Sequence, residues 1–491
     1  MPSPIKIIRS LGPRPALIAA LLGASALTAC AEVGPNFTRP NTPNVSGYAM
    51  KGDVASPRVV DAAAAPQGAW WKAFNSPELD ATVRLALENN QTLSEADATL
   101  RQLKDNEAAV RGQLGPQADA NAGVQRERIN IAAFGISGFQ SPTVTLYSIG
   151  GAVSYDLDLF GGGKRSLEGA RARVEAQANR ADAAYLTISG NVALEAMQIA
   201  GVRTQIAAVQ SMVDDDNKNL ELVRKAAELG GEASMATTTA KTQVDQDLAL
   251  LPPLQQQLAQ HRHALALLVG KAPADYTPPD FDFEKIALPA QIPVEVPSQL
   301  LRQRPDILAA EADLHAATAQ IGVETAKLYP DLKLSAALTQ TALQPQNIFS
   351  YNSSGWNFGP GLTLPLFHGG TLKANRNAAE AAAQAANARY QQTVLTAFVQ
   401  VADVLQALAH DDDEVKAEMR AQATSEANVN DERLAYRDGA GTVLRVIDAQ
   451  RQLHMARRNS AAAVAQRYAD VVRLYVAIAS DWRDSSPTTA S

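Results

Sequence analysis

The sequence is short of the residues on which most catalytic and metal chemistry rests. Its 491 residues hold a single cysteine, Cys30, and six histidines. No intramolecular disulfide is possible, and an exported protein would otherwise carry an odd thiol. There is no HExxH, no GxSxG and no Cys/His cluster, so no catalytic residue, cofactor or metal is expected. Lysine and arginine form no block, and a net charge of −7 spread along the chain argues against a nucleic-acid surface. Aromatic residues make up only 5%, against 46% hydrophobic residues in all, much of it alanine. Beyond Cys30 no run of about 18 apolar residues stands out, so no transmembrane helix is expected. A chain that crosses a membrane without one must do so as a closed barrel.

What is present begins at the N-terminus. Lys6, Arg9 and Arg14 precede a small and apolar run from Ala16 to Thr28, which ends in Leu27-Thr28-Ala29-Cys30. That is the layout of a secretory signal rather than of a mature helix. The last four residues resemble the bacterial lipobox, in which the cysteine becomes the new N-terminus and carries acyl chains, palmitate among them. Lipidation accounts both for the place of Cys30 and for the lack of any other cysteine. Ala31 follows it rather than aspartate, which under the enterobacterial sorting rule implies transfer to the outer membrane.

The remaining chain is duplicated. Ala96, Ala98, Leu100, Leu114 and Pro116 recur 214 positions later as Ala310, Ala312, Leu314, Leu328 and Pro330. Leu159-Phe160-x-Gly162-Gly163 recurs 207 later as Leu366-Phe367-x-Gly369-Gly370, and Gly230, Ala240 and Leu265 recur 209 later as Gly439, Ala449 and Leu474. The order is colinear, and small changes of offset fit insertions in loops.

Within each half the apolar period changes. Ile188, Val192, Ile199, Val202, Ile206, Val209 and Val213 keep alternating steps of four and three, broken only by Glu195, and the pattern returns at Val394, Phe398, Val401, Leu405 and Leu408 and again from Val464 to Ile478. These are coiled-coil helices. Between them the period is two: Tyr147, Ile149, Val153 and Tyr155 alternate with Ser148, Gly150, Ala152 and Ser154, Leu332 to Leu338 alternates likewise, and so do Trp356, Phe358, Leu362 and Leu364. Segments of about ten residues, apolar on one side and polar on the other, suit the wall of a membrane β-barrel. Gln117 to Asn130 is the weakest of the four, because its apolar side is mostly alanine. Ala132 to Pro142 and Leu343 to Gly355 read as hairpin loops.

The helical stretch from Lys164 to Glu228, roughly 65 residues, would be about 100 Å long. Pro77 to Gly115 added to Met235 to Val269 matches it in length, with a break expected at Pro252-Pro253. In the second half Ser298 to Leu328 plus Thr442 to Ala479 match Thr371 to Arg437. Each half therefore reads as a strand hairpin followed by a long helical hairpin. The expected divisions are a signal peptide at 1–29, a lipidated N-terminal segment with equatorial packing at 30–76, repeats at 77–271 and 298–480, a proline-rich linker at 272–297 and a tail at 481–491.

Several motifs together resemble one family. Val33-Gly34-Pro35-Asn36-Phe37-x-Arg39-Pro40 looks like its mature N-terminus, as does Trp70-Trp71-x-x-Phe74-x-x-Pro77-x-Leu79. Leu300-Leu301-Arg302-x-Arg304-Pro305-Asp306, Ala319-Gln320-Ile321-Gly322, Tyr329-Pro330, Pro365-Leu366-Phe367-x-Gly369-Gly370, Tyr436-x-x-Gly439 and Asp448-Ala449-Gln450 complete the pattern. The chain is similar to the TolC-like outer membrane factors, in the lipoprotein branch that includes OprM and NodT. The resemblance implies an α+β membrane protein with four strands and long coiled-coil helices per chain. Three chains would form a homotrimer with a 12-stranded outer-membrane β-barrel continuous with a 12-helix periplasmic α-barrel. It implies a passive exit duct, lipid-anchored in the outer membrane, that serves a periplasmic adaptor and an inner-membrane efflux pump. The tips of the helical hairpins, Leu229, Gly230, Gly231, Ala233 and Ser234 with Gly439, Gly441 and Leu444, would close the pore and dock the adaptor. Asp448, Arg445 and Tyr436 are the gate candidates. Symmetry would gather the Asp448 carboxylates into a ring near the axis, against the alternative of an i,i+3 ion pair with Arg445. The chain departs from TolC here: Arg445 replaces one of two acidic gate positions, Gly441 stands where TolC has a locking arginine, and Ala236 replaces that arginine's acidic partner.

Other features have plainer readings. Pro305 and Asp306 suit the start of a helix, and Trp70 and Trp71 suit packing. His261 and His263, two apart on a helix, face different sides and do not share a metal. The acidic runs Asp214–Asp216 and Asp411–Glu414 read as solvated helix faces. Two rival functions stay open at this stage. A periplasmic coiled-coil adaptor would carry one helical hairpin rather than two, and a lipid-anchored envelope enzyme would need a constellation the sequence does not supply.

Overall fold

The computed structural model describes residues 32–41, 47–54, 59–61, 69–130, 133, 135, 138, 140–230, 234–294 and 301–479. The expected signal peptide, Cys30, most of the Ala132 to Pro142 loop, the tip residues Gly231 and Ala233, and the 481–491 tail lie outside them. Among the described residues the chain runs β1 (Val59–Asp61), α1 (Pro77–Asn89), α2 (Gln91–Gln113), β2 (Gln117–Arg128), β3 (Thr143–Asp156), α3 (Gly162–Glu228), α4 (Ser234–Leu248), α5 (Leu251–Leu268), β4 (Ile292–Val294), α6 (Pro305–Ala326), β5 (Asp331–Ala342), β6 (Ser354–Thr363), α7 (Thr371–Arg437) and α8 (Val443–Ala477). Two compact units result, each assembled from segments of both repeats.

Helix ends follow local chemistry. Helices α3 and α7 are 67 residues each, and α3 starts where the Asp158 carboxylate accepts from the amides of Gly163 and Lys164, each at 2.9 Å. The stretch expected to run unbroken from Pro77 divides at Asn90. Its Oδ1 accepts from the amides of Thr92 at 2.9 Å and Leu93 at 3.3 Å, so Asn90 caps a new helix. Pro252 and Pro253 do interrupt the next stretch, but the break falls ahead of them. Helix α4 stops at Leu248 and α5 restarts at Leu251, which puts both prolines in a first turn where a missing N–H leaves no carbonyl unpaired.

The first unit holds a four-stranded antiparallel sheet in the order β2-β3-β5-β6. The register places Tyr147 opposite Val124 and Ala342, Val153 opposite Ala118 and Ala336, and Tyr155 opposite Leu334. It continues with Leu338 opposite Trp356, Ala336 opposite Phe358 and Leu332 opposite Leu362. Directly paired residues share a face, so the apolar parity of all four strands falls on one side. Asp119, Asn121, Ser148, Ser154, Ser335, Thr339, Asn357 and Thr363 share the other. The alanine-rich Gln117–Arg128 is a full 12-residue strand of this sheet. Trp356 is 79% exposed and Leu362 67%, so the apolar side is uncovered.

An N-terminal clasp lies in the same unit. Gly34, at φ +91, sits so close to the α6 backbone that a Cβ would come within 2.6 Å of the Gly322 Cα. The buried Arg165 guanidinium donates to Asn36 Oδ1 at 2.6 Å and to the Val33 carbonyl at 3.3 Å. Phe37 stacks on His315 at 4.4 Å, and His315 contacts Glu168 at 2.9 Å. These contacts explain the Val-Gly-Pro-Asn-Phe and Gln-Ile-Gly motifs as two halves of one joint.

The second unit packs helices around a core that includes Trp70, Phe74, Val192, Met197, Leu265, Val472 and Tyr475. A parallel pair, β1 with β4, borders it; three-residue strands leave no period in the sequence. Helix α7 contains a window long and apolar enough to cross a membrane by composition alone, which corrects the expectation that none follows Cys30. Its Val401 and Leu408 are buried in this core, with Phe398, Val404 and Leu405 packed against it, while Leu395 and Val399 of the same stretch are exposed. Glu195, the interruption in the heptad seam, meets His261 of α5 at 2.8 Å. Arg304 holds Asp306 at 2.6 Å and caps α8 by donating to the Ala477 carbonyl at 2.8 Å. Trp70 stacks on Tyr475 at 5.5 Å and donates to Ser189 Oγ at 3.2 Å. Trp70→Ala is expected to destabilise this unit by about 3–5 kcal/mol and Trp70→Phe by clearly less, as read by thermal or denaturant unfolding of the detergent-extracted protein.

Candidate functional site

The hairpin tips are built on glycine. Gly230 follows α3 at φ +79 and Gly439 follows α7 at φ +74, the left-handed turn by which a long helix stops and reverses. The Gly439 amide donates to the Tyr436 carbonyl at 3.1 Å and the Ala440 amide to the Ala435 carbonyl at 2.8 Å, which satisfies the last carbonyls of α7. Any side chain at Gly441 would meet the Tyr436 backbone nitrogen at 3.1 Å. Beneath the turns Leu220, Val223, Ala236, Ala240, Val244, Val443 and Ile447 form a separate apolar cluster with Tyr436 packed on it. It unites α3, α4, α7 and α8, so the tips of both repeats share one small core. Leu229 is 88% exposed and Leu444 49%, and Ser234 is exposed as well.

Of the gate candidates Tyr436 packs on this core, while Arg445 and Asp448 are exposed, and the alternative ion pair between those two does not form. Arg445 does not reach Asp448; it lies 3.7 Å from Glu432 of α7. Asp448 takes its i,i+3 partner from the other direction, accepting from Arg451 at 2.8 Å and from Gln452 at 3.1 Å. Helix α7 presents Glu432 across the hairpin, and a contact between helices outcompetes one along an exposed helix face. Spacing gives no sign of Glu432. Arg451 and Gln452 stand at legible i,i+3 and i,i+4 positions.

The acidic runs are solvated only in part: Asp214, Asp413 and Glu414 are exposed as expected, but other members are buried. Asp216 is 4% exposed and Asp411 and Asp412 are 6% each. Each residue turns a helix by about 100°, so a run of three or four cannot keep every member outside a multi-helix bundle. Asp216 of α3 hydrogen-bonds Asp247 of α4, and burial together with that second carboxyl pushes the Asp216 pKa up to about 8. Burial and the charge of Asp470 on α8 push Asp411 up to about 7. Asn219 donates to Gln450 and lies 3.4 Å from Asp216. Gln243 donates to both oxygens of Asp247, at 3.0 and 3.1 Å. His454 is buried in the same layer with neither ring nitrogen partnered, and burial depresses its pKa. Among the described residues no group of three or more His, Cys, Asp or Glu could hold a metal ion.

Comparison with known proteins agrees along almost the whole chain. Residues 82–271 and 296–480 match the family model described as outer membrane efflux protein. The chain is 30% identical to the pyoverdine export outer membrane protein OpmQ of Pseudomonas putida over 458 residues, covering 91% of this chain and 95% of that one. It is 29% identical to the cation efflux system protein CusC of Escherichia coli over 466 residues, covering 94% and 97%. Its backbone matches the outer-membrane channel OprN with a TM-score of 0.84 at 26% identity, over 92% of this chain and 99% of that one.

Proposed function

The chain belongs to the outer membrane efflux protein family, and from this we infer that it is one protomer of a passive exit duct that takes cargo from an inner-membrane pump and a periplasmic adaptor to the outside. It is an outer membrane efflux channel with the TolC-like fold, extending into the periplasm, and not an enzyme. The observation that carries the architecture is the shared parity of the sheet. One face gathers the apolar parity of all four strands, interrupted by Gln340 opposite Ser354 and ending at Arg126 and Arg128 of β2, and among the described residues the outer edges of β2 and β6 are unpaired. In lipid an open edge would leave backbone groups without partners, and four strands are too few to close, since single-chain barrels begin at eight. Three copies would supply twelve strands and seal every edge.

The trimer, the lipid anchor at Cys30 and the gate at the tips are parts of this proposal. The uncovered apolar side chains Leu229 and Leu444 suit adaptor docking. The two repeats, 77–271 and 298–480, each contribute one strand hairpin and one helical hairpin to the wall. OpmQ is named for pyoverdine export and CusC for cation efflux, at nearly the same identity to this chain. That pairing fits a duct whose cargo is selected upstream by the pump. Asp448 is proposed to line the closed tip with Tyr436 and Arg445 beside it, its charge only partly balanced by Arg451.

Three measurements test this reading. Leu362→Lys, on the apolar parity, should cost about 2–4 kcal/mol near a bilayer midplane and deplete heat-resistant trimers on detergent gels, whereas Thr363→Lys, on the polar parity, should leave them largely intact. Equal loss at both positions rejects the assignment of lipid and lumen faces. Mass spectrometry of the mature N-terminus should find a multiply acylated Cys30, because several hydrophobic signals are needed for stable anchoring; an unmodified cysteine or another cleavage site rejects the anchor. In single-channel recordings a multivalent cation added on the periplasmic side should block the wild-type channel and fail to block Asp448→Asn. Identical behaviour of the two would leave the tips closed by packing alone.

A further inference from the structure

Each long helical hairpin has an aspartate on one helix buried against an aspartate on the other. In the first hairpin these are Asp216 of α3 and Asp247 of α4, each 4% exposed. In the second they are Asp411 of α7, 6% exposed, and Asp470 of α8, 3% exposed. The two pairs do not occupy equivalent positions of the repeat. We propose that each hairpin carries a buried proton-binding site, Asp216 with Asp247 and Asp411 with Asp470, whose occupancy sets how tightly its two helices are held together.

The groups that bond the first pair directly carry no positive charge. Asp216 is faced by Asp215 and Asn219 of its own helix and by Asp247 of α4; Gln243 of α4 donates to Asp247, Asn219 donates on to Gln450 of α8, and the charges of Asp215 and Asp247 act on His454 of α8. Among the described residues no lysine or arginine bonds either carboxyl; Arg457 of α8 and Arg433 of α7 act on His454 instead. The donors that reach the pair, Asn219 and Gln243, are uncharged. Two carboxylates cannot both be ionised at hydrogen-bonding distance without a cation between them, so the contact forms with one proton shared. His454 and Asp247 also line a common cavity of about 230 Å³ with Gln243, Met212 and two arginines of α8, Arg451 and Arg458, and Arg451 is engaged by Asp448 at 2.8 Å. An imidazole with both nitrogens unpartnered therefore borders the same cavity as one member of the pair.

The second pair is built differently to the same end. Asp470 accepts from Arg473 at 2.6 Å and from Gln466 at 2.8 Å, and Arg467 is engaged by Asp412 at 3.4 Å. Asp411 keeps one oxygen without a partner and faces Asp470, Asp412 and Glu414. Burial and the charge of Asp470 make Asp411 the member that keeps the proton.

The sign follows from which form binds the proton. The closed hairpin retains it, while in parted helices each carboxyl is hydrated and releases it to solvent. Closing is therefore favoured at low pH, and helix parting grows about tenfold per pH unit from the ordinary carboxylate range up to about 8 in the first hairpin and about 7 in the second. Beyond that it levels off. The test is hydrogen-exchange mass spectrometry of the full-length trimer in lipid nanodiscs from pH 5.5 to 8.5, with an unstructured peptide as reference for the intrinsic rate. Amides of α3 and α4 flanking Asp216 and Asp247 should lose roughly tenfold protection per unit up to the plateau. Asp216→Asn should abolish that slope in the first hairpin and leave the second unchanged, and Asp411→Asn should do the reverse. Asp247→Asn reads the first contact from the opposite helix should Asp216→Asn fail to assemble. A flat wild-type profile, or slopes that these substitutions do not alter, overturns the proposal.

Discussion

Strands β3 and β5 come from different repeats, and their ladder from Tyr147 opposite Ala342 to Asp156 opposite Lys333 fixes the parity of everything beside it. A shift of one residue in that register would send the apolar side of one hairpin to the polar side of the other, because the side-chain period of a strand is two. No local compensation exists, since β2 takes its phase from β3 and β6 takes its phase from β5. The duplication is therefore held together by a phase relation at its seam. It also explains why neither repeat forms a compact unit of its own and why both units interleave segments of the two halves.

The helical part solves a different problem. Helices of 67 residues with much alanine bury little area per turn, so their stability has to be gathered from separated clusters. The core around Trp70 and Tyr475, the cluster of Val209, Met212 and Val213, that of Val429, Ala449 and Leu453, and the tip cluster around Val223 are distinct. Polar layers fall between them. A buried carboxyl pair costs stability when ionised and little when it shares a proton, so such layers divide each long hairpin into segments that respond differently to their surroundings.

Much of this was legible in the sequence, and the failures share a cause. Helix α7 runs from Thr371 to Arg437 as the heptads indicated, α3 starts two residues before the expected Lys164, and the period-two segments are strands. Those features depend on local repetition. The division at Asn90 depends on a side chain that competes for amides of the next turn, and the β1–β4 pair on residues more than 200 positions apart. The burial of Asp216 and Asp411 and the pairing of Arg445 with Glu432 depend on how one helix is rotated against another. The glycines of the tips were legible because a positive φ leaves few alternatives, and the partners of Asp448 stand at legible spacings on its own helix, whereas the partner of Arg445 had to wait for that rotation.

The clasp has a consequence for how the protein is set in its membrane. The Val33 amide donates to the Phe160 carbonyl at 3.1 Å, at the point where β3 gives way to α3. From Glu32 back to the proposed acylated Cys30 the chain can span at most about 7 Å. The acyl chains would then enter the bilayer beside the periplasmic ends of β3 and β5, whatever the state of the tips. They would serve as a waterline on the hull, a mark at that joint for the depth of the strands in the bilayer.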